Sequence, residues 1–222
     1  MNDHNGNHNK IKALIKSLKE EYKISTKVLN VLEKIPRDIF VPEEYQYAAY
    51  ENHPLPIGYN QTISQPYIVA KMTELLITSD NHSSDAPLNS ILEIGTGSGY
   101  QAAILSLFYK EVYTIERILP LKERAERCFK KLHLKNIHAY YNDGTLGLPQ
   151  NAPFDAIILT AATPEIPKIL LKQLSDQGGK LLLPIGEHGQ SQRLQLITKK
   201  SKKYTSEFYD WVTFVPLLKG TD

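Results

Sequence analysis

Residues 91 to 100 read Ile-Leu-Glu-Ile-Gly-Thr-Gly-Ser-Gly-Tyr, an apolar strand that runs directly into three alternating glycines. A periodic apolar helix begins immediately afterwards. The strand delivers the chain to the carboxyl edge of a sheet, where the glycines let the backbone turn tightly and approach a ligand with no Cβ in the way. The following helix then presents unpaired N–H groups to negative charge. A dinucleotide loop needs G-x-G-x-x-G, in which the third glycine permits close helix packing. Gly95 and Gly97 fit that spacing, but Tyr100 stands at the third position and the glycine comes one residue early, at Gly99.

The pattern downstream extends this unit. Glu111 to Glu116 is a second strand ending on an acid about twenty residues beyond the first glycine, where a carboxylate can accept bonds from two ribose hydroxyls. A third strand, Ile137 to Tyr141, leads into Asn142-Asp143-Gly144, which is also an ordinary turn sequence. Strands are expected near 91 to 94, 111 to 115, 137 to 141, 155 to 160 and 180 to 183, with helices between them. That alternation indicates an α/β, three-layer, doubly wound and mostly parallel sheet. Arg193 to Thr198 and Trp211 to Leu217 have strand character and are expected to finish the sheet edge.

Before the first strand the chain reads differently. Residues 1–9 form a polar tail rich in Asn and His, expected to be disordered, with both histidines solvated. Residues 10–77 form a helical and irregular region. Ile11, Leu14, Ile15 and Leu18 recur at helical spacing, and Val28, Leu29, Val31 and Leu32 mark a helix that stops before Pro36. The Pro- and Tyr-rich stretch from Pro36 to Ser64 reads as an irregular layer over a site. A further helix starts near Gln65, and a polar loop from Thr78 to Ser90 follows. The cofactor-binding core spans 90–198, and 199–222 completes the sheet, all within one domain over 1–222.

Charge and cysteine content narrow the function classes. A net charge of +2 supplies no broad basic field for nucleic acid, and the run Lys199, Lys200, Lys202 and Lys203 reads as a solvated surface. Cys128 is the only cysteine, so no intramolecular disulfide can form. No apolar run reaches the roughly eighteen residues of a membrane span, and the polar N-terminus lacks a secretory apolar region. A cytoplasmic monomer without metal is expected, with His53 and His188 as ordinary polar residues.

The G-x-G-x-G spacing resembles that of S-adenosylmethionine-dependent methyltransferases. The stretch Gly58-Tyr-Asn-Gln-Thr-Ile-Ser-Gln-Pro-Tyr67 is more specific and resembles the signature of protein-L-isoaspartate O-methyltransferases. The likeness includes Pro36-Arg37, Phe40-Val41-Pro42, Leu92 to Ala103, Ile115-Glu116-Arg117, Asp143-Gly144, Phe154 to Ile158, Thr160-Ala-Ala162, Pro164 to Pro167, Leu183 to Gly186 and Phe214 to Leu217. Asn60, Thr163 and Asp176-Gln177 depart from the family pattern, and the loop before the first strand is longer. Asn60 is expected to keep its turn, because Asn tolerates positive φ.

The resemblance implies S-adenosylmethionine as methyl donor, with S-adenosylhomocysteine left behind, and isoaspartyl-containing proteins and peptides as substrates. It places Glu93, Gly95, Thr96, Gly97, Ser98, Gly99, Glu116, Arg117, Asp143 and Gly144 at the cofactor. Gln61, Thr62, Ile63, Ser64, Thr160, Ala161 and Ala162 are placed at the substrate, with Ser64 as the catalytic residue that orients its carboxylate. Serine directly before a helix is also a favoured N-cap, and both roles stay open for Ser64. Carboxyl groups of this kind have pKa values of about 3 to 4, so the nucleophile is already ionised and needs no general base. The task is alignment, which can supply roughly 7 to 11 kcal/mol. The methyl ester then closes to a succinimide that hydrolyses partly to aspartate. A methyltransferase acting on a small molecule or nucleic acid, and a non-catalytic module of the same fold, are the alternatives. Against the former, Thr160-Ala-Ala-Thr163 is unlike the Asn-Pro-Pro-Tyr type of motif carried by amino-methylating enzymes.

Overall fold

A computed structural model describes residues 3–78, 88–187 and 189–222. The expectation for His188, and most of that for the 78 to 90 loop, lies outside them. Helix α1 (Asp3–Glu20) leads the chain and α2 (Thr26–Lys34) follows it. The helix α1 therefore begins inside the stretch expected to be a disordered tail. Adding a turn to an existing helix is far easier than nucleating one, and Asn7 Nδ2 and Lys10 Nζ tie this end to Asp38 and to the Tyr47 carbonyl.

Two short 3-10 turns, Arg37–Phe40 and Glu43–Ala48, then lead to a hairpin of β1 (Leu55–Gly58) and β2 (Gln61–Ile63). The layer expected to be irregular thus contains a small sheet. Gly58 pairs with Gln61 across a two-residue turn in which Tyr59 and Asn60 both have positive φ, 54° and 55°. That geometry matches the right-handed twist of the paired strands and favours Asn, so the turn survives the Asn60 departure.

Helix α3 (Pro66–Ile77) crosses to the main sheet. The remaining order is β3 (Leu88–Ile94), α4 (Tyr100–Leu105), β4 (Tyr109–Glu116), α5 (Leu119–Lys131), β5 (Ile137–Tyr141), β6 (Ala156–Leu159), α6 (Lys168–Leu171), β7 (Gln177–Ile185), β8 (Gln192–Lys200) and β9 (Lys203–Val212). The seven strands lie in the order β5-β4-β3-β6-β7-β8-β9. The four pairings among β3, β4, β5, β6 and β7 are parallel, and the two that add β8 and β9 are antiparallel.

Alternation along the strands divides the core between two faces. Ile91, Val112, Ile158 and Leu182 join the N-terminal helices, α4 and α5, whereas Leu92, Ile94, Ile157, Leu159, Leu181 and Leu183 join Leu148, Phe154, Leu170 and Leu174. The second face is covered by the four-residue α6 and by two 3-10 turns, Gly144–Leu146 and Pro149–Asn151. A full helix expected between β5 and β6 does not form, because Gly144, Gly147, Pro149 and Pro153 interrupt that connection.

The C-terminal part departs from the sequence expectation in two places. The expected final strand at 211 to 217 is instead β9 at Lys203–Val212, and the chain beyond it leaves the edge to bridge with Ala162. Pro216 has no N–H to continue a ladder. The lysine run is not wholly solvated either. Lys199 is buried, donates to the Leu174 carbonyl at 2.8 Å and pairs with Asp176 at 2.9 Å. Ser201 and Lys202, both at positive φ, form the β8–β9 turn.

Arg37 braces the N-terminal layer. Its guanidinium is buried, donates to the carbonyls of Ala49 and His53 and lies 5.5 Å from the centre of the Tyr100 ring. Burial pulls it down to about 10, so it remains charged at neutral pH. Arg37→Met should cost roughly 2 to 4 kcal/mol, because two carbonyls lose their donor inside the fold. Urea unfolding measures this, and a loss below about 0.5 kcal/mol would show that the bonds are dispensable.

Candidate active site

Where β3 ends, its neighbours depart in different directions, β4 towards β5 and β6 towards β7. Such a reversal leaves a crevice outside the carboxyl ends of the strands. The glycine loop fills one wall of it. Gly95 and Thr96 donate to the Ile115 carbonyl at 2.8 and 3.2 Å, while Thr160 at the end of β6 donates its N–H to Ile94 O and its hydroxyl to Gly95 O. A Cβ on Gly95 would lie 2.4 Å from Thr160 Oγ1, so only glycine allows the two strand ends to meet.

The resulting cleft, about 840 Å³ and open to solvent, is lined by Gln61 to Ser64, the glycine loop, Glu116 to Ile118, Thr160, Ala161 and Val215 to Leu218. Glu93, Thr96, Gly97, Ser98, Arg117 and Gly144 are also on its surface. Three residues of the expected set are not. Gly99 starts α4 at φ +87°, and a Cβ there would press within 2.8 Å of the Phe129 ring, so this glycine serves the packing of α4 on α5. The helix α4 has only six residues, and the N–H of Gly97 is already taken.

Asp143 and Ala162 hold the C-terminal segment instead of lining the cleft. Ala162 exchanges backbone bonds with Val215 and Leu217 at 2.8 and 2.7 Å. Asp143 Oδ2 accepts from Gly220 N, and Oδ1 accepts from the N–H and hydroxyl of Thr145. Burial opposes its charge, but these donors together hold its carboxyl below the ordinary range. Arg117 lines the cleft with its guanidinium committed to both carboxylate oxygens of Asp222 at 2.7 Å. The sequence pattern put Trp211 to Leu217 on the sheet edge, whereas Val215 to Leu218 line the cleft. Their membership in the cleft had one signal, the family-like Phe214 to Leu217.

Two buried carboxyl groups set the electrostatics. Glu116 accepts from Gly97 N at 2.7 Å and from Ile118 N at 3.0 Å, one bond to each oxygen, which leaves a further acceptor site on each. Burial raises its pKa, while those N–H groups pull the other way. Glu93 is fully buried and its Oε2 accepts from Thr114 Oγ1 at 2.5 Å; Thr114 is in turn bonded to Thr96 Oγ1 at 2.6 Å. Its Oε1 has no partner among the described residues. Desolvation pushes Glu93 up to about 8, so in the ligand-free protein it is mostly neutral at pH 7.

Ser64 does not cap the helix. Gln65 occupies the N-cap position of α3 with no capping side chain of its own, and the Tyr67 N–H is satisfied by Asn52 Oδ1 at 3.0 Å, from fifteen residues upstream. Gln65 Nε2 in turn donates to the Asn52 carbonyl at 2.8 Å. No protein hydrogen bond to the Ser64 hydroxyl occurs among the described residues, and Ser64 lines both the cleft and a second groove next to it. Nothing in the sequence singled out Asn52. Thr160, by contrast, has its hydroxyl turned into the backbone at Ile94 and Gly95.

His53 is exposed and bonded to Pro54 O and Glu51. No group of three or more metal-ligating side chains occurs among the described residues, and none of their helices is long and apolar enough to cross a membrane.

Residues 9–222 match the family described as protein-L-isoaspartate(D-aspartate) O-methyltransferase. The chain is 46% identical over 211 residues to the protein-L-isoaspartate O-methyltransferase of Pectobacterium carotovorum, covering 95% of this chain and 97% of that one. It is 50% identical over 208 residues to that of Dictyoglomus turgidum, with 94% and 90% covered. Among solved structures, a Plasmodium falciparum protein-L-isoaspartate O-methyltransferase in complex with S-adenosyl-L-homocysteine has a TM-score of 0.78 at 25% identity, covering 94% of this chain and 98% of that one. A further protein-L-isoaspartate O-methyltransferase has a TM-score of 0.80 at 27% identity; 93% of this chain corresponds to 65% of the other.

Two outcomes follow from the geometry. Unfolded Glu93 ionises near 4.5 and folded Glu93 near 8, so its contribution to stability is complete below pH 4.5 and is lost as pH rises towards 8. Melting temperatures of the ligand-free protein, taken relative to Glu93→Gln, should therefore fall across that window; a flat difference would place Glu93 in an ionised state throughout. Asn52→Ala should cost about 1 kcal/mol through the lost cap, and Ser64→Ala less than about 0.5 kcal/mol. The reverse order in urea unfolding would restore the capping role to Ser64.

Proposed function

We infer that this chain, which belongs to the protein-L-isoaspartate (D-aspartate) O-methyltransferase family, repairs damaged proteins by methylating the α-carboxylate of L-isoaspartyl residues, and that Ser64 orients that carboxylate. The observation that supports the assignment to Ser64 is its hydroxyl, which lacks a protein partner among the described residues and stands at the junction of the cleft and the neighbouring groove. A hydroxyl in that state can donate to one carboxylate oxygen while the other points at the methyl donor. Gln61, Thr62 and Ile63 form the rest of this wall, and Thr160 and Ala161 form the floor.

The cleft suits S-adenosylmethionine on the chemistry of its own groups. The unpartnered Oε1 of Glu93 fits an ammonium, the spare acceptor sites of Glu116 fit ribose hydroxyls, and Gly97 leaves backbone at the wall with only Ile57 Cδ1, at 3.6 Å, near where a side chain would be. When bound, the cofactor supplies a methyl group on a positively charged sulfur. The chain's part is to hold an already ionised carboxylate in line with it, beside the wall that Val215 to Leu218 form. No residue has to move a proton. The following backbone nitrogen afterwards attacks the ester carbonyl without the enzyme's help, methanol leaves as the succinimide closes, and hydrolysis returns part of it to aspartate.

The N-terminal layer and the cofactor core act as one unit in this reading, because Ser64 and the glycine loop face the same cleft. The net charge of +2 supplies no broad basic field of the kind that would draw in a polyanion. We assign the protein to the cytoplasm as a monomer.

Labelled S-adenosylmethionine and paired peptides differing only in aspartyl or isoaspartyl linkage test this function. Base-labile label is expected on the isoaspartyl peptide alone. Ser64→Ala should lower kcat by about 100-fold or more with cofactor affinity within about twofold, whereas Glu116→Ala should weaken cofactor binding by about tenfold or more. Equal labelling of both peptides would overturn the substrate class, and unchanged kcat in Ser64→Ala would remove Ser64 from catalysis.

A further inference from the structure

The groove beside Ser64, about 870 Å³ and open to solvent, shares Thr62, Ser64, Thr160 and Val215 with the cofactor cleft. Its other walls are Pro54, Ile68, Phe214 and Trp211, with Gln65, Ser191 and Thr213 between them, and no ionisable side chain lines it among the described residues. Trp211 is 67% exposed. One exposed aromatic is ordinary on a protein surface. This one is distinguished by its place on the wall of a groove that reaches the proposed carboxylate site, and by how it is held.

Trp211 sits at the end of β9, paired with Arg193 on β8. The Arg193 guanidinium lies 5.2 Å from the centre of the Trp211 ring and 5.3 Å from that of Phe208, and its Nε donates to the Tyr209 carbonyl at 3.2 Å. Cation–π contact of this kind favours a fixed ring position. A rigid aromatic surface loses little conformational entropy on contact, which is why Trp is enriched at recognition sites.

We propose that this groove receives a bulky apolar side chain flanking the isoaspartyl residue, and that Trp211 is the specificity-determining residue of the substrate. The proposal rests on the reading in which the isoaspartyl carboxylate sits at Ser64. Extended chain advances about 3.3 Å per residue, so side chains one or two positions from a carboxylate at Ser64 fall within this groove. A lysine or glutamate there gives up water and finds no charged partner among the described lining residues, the Arg193 guanidinium being engaged by the Trp211 and Phe208 rings and the Tyr209 carbonyl, whereas an aromatic or branched aliphatic side chain gains contact with Trp211, Ile68 and Phe214.

The test uses the full chain, labelled S-adenosylmethionine and isoaspartyl peptides that carry Phe, Leu, Ala, Lys or Glu on the N-terminal or the C-terminal side. With wild-type protein, kcat/KM should be about tenfold higher for Phe or Leu than for Ala on one of the two sides, mainly through KM, and lowest for Lys and Glu. Trp211→Ala should bring the Phe-to-Ala ratio close to one, and Trp211→Phe should keep most of it, with circular dichroism confirming folded protein in each case. Equal wild-type kcat/KM for all flanking residues, or a ratio that persists in Trp211→Ala, overturns the proposal. So does a Trp211→Ala protein whose sedimentation changes while its selectivity does not, which assigns the surface to a second copy of the chain. Failure of the Ser64 reading is scored separately, by unchanged turnover of Ser64→Ala on the alanine-flanked peptide.

Discussion

The cleft exists because of a packing constraint at the end of β3. Its two parallel neighbours carry the chain to opposite halves of the sheet, so the loops that leave β3 and β6 separate at their tips while their bases are held together. Gly95 and Thr160 form that base, with the hydroxyl of one side chain bonded to the carbonyl of a residue that has none. A larger residue at Gly95 would push against Thr160 and separate the two strand ends and, with them, two walls of the cleft.

Around this base the protein assigns its polar groups with little redundancy. Glu116 ties the glycine loop to the start of α5 through one bond to each oxygen, and so fixes the loop before any ligand arrives. Glu93 is handled in the opposite way, with one oxygen held by a threonine pair and the other left without a partner in a dry environment. An unpartnered buried carboxyl is a local cost to stability. It is also a site that a cation would satisfy.

The same economy governs the substrate side. A helix N-terminus needs acceptors for its first N–H groups, and the nearest hydroxyl in sequence is that of Ser64. Asn52, brought in by the layer that Arg37 braces, supplies the acceptor instead. The hydroxyl next to the cleft is thereby left available. The segment Val215 to Leu218 closes the other side, fixed by Ala162 and, further along, by Asp143 and Arg117. Residues that the family resemblance assigned to ligands are in part the fastenings of this segment.

The sequence alone determined the parallel core, the glycine loop, the acid ending β4 and the family, because each is carried by neighbours along the chain: strand periodicity, a glycine spacing, a contiguous motif. It also located Ser64 but left its role divided between cap and catalyst. Only the tertiary structure removed the cap from those readings, since the acceptor that serves the helix, Asn52, comes from another layer and no local pattern marks it. The same holds for the burial of Lys199, for the helical start of a tail rich in Asn and His, and for the turn of 213 to 218 away from the sheet and over the cleft. Those outcomes depend on partners distant in sequence, and local composition carries no record of who those partners are.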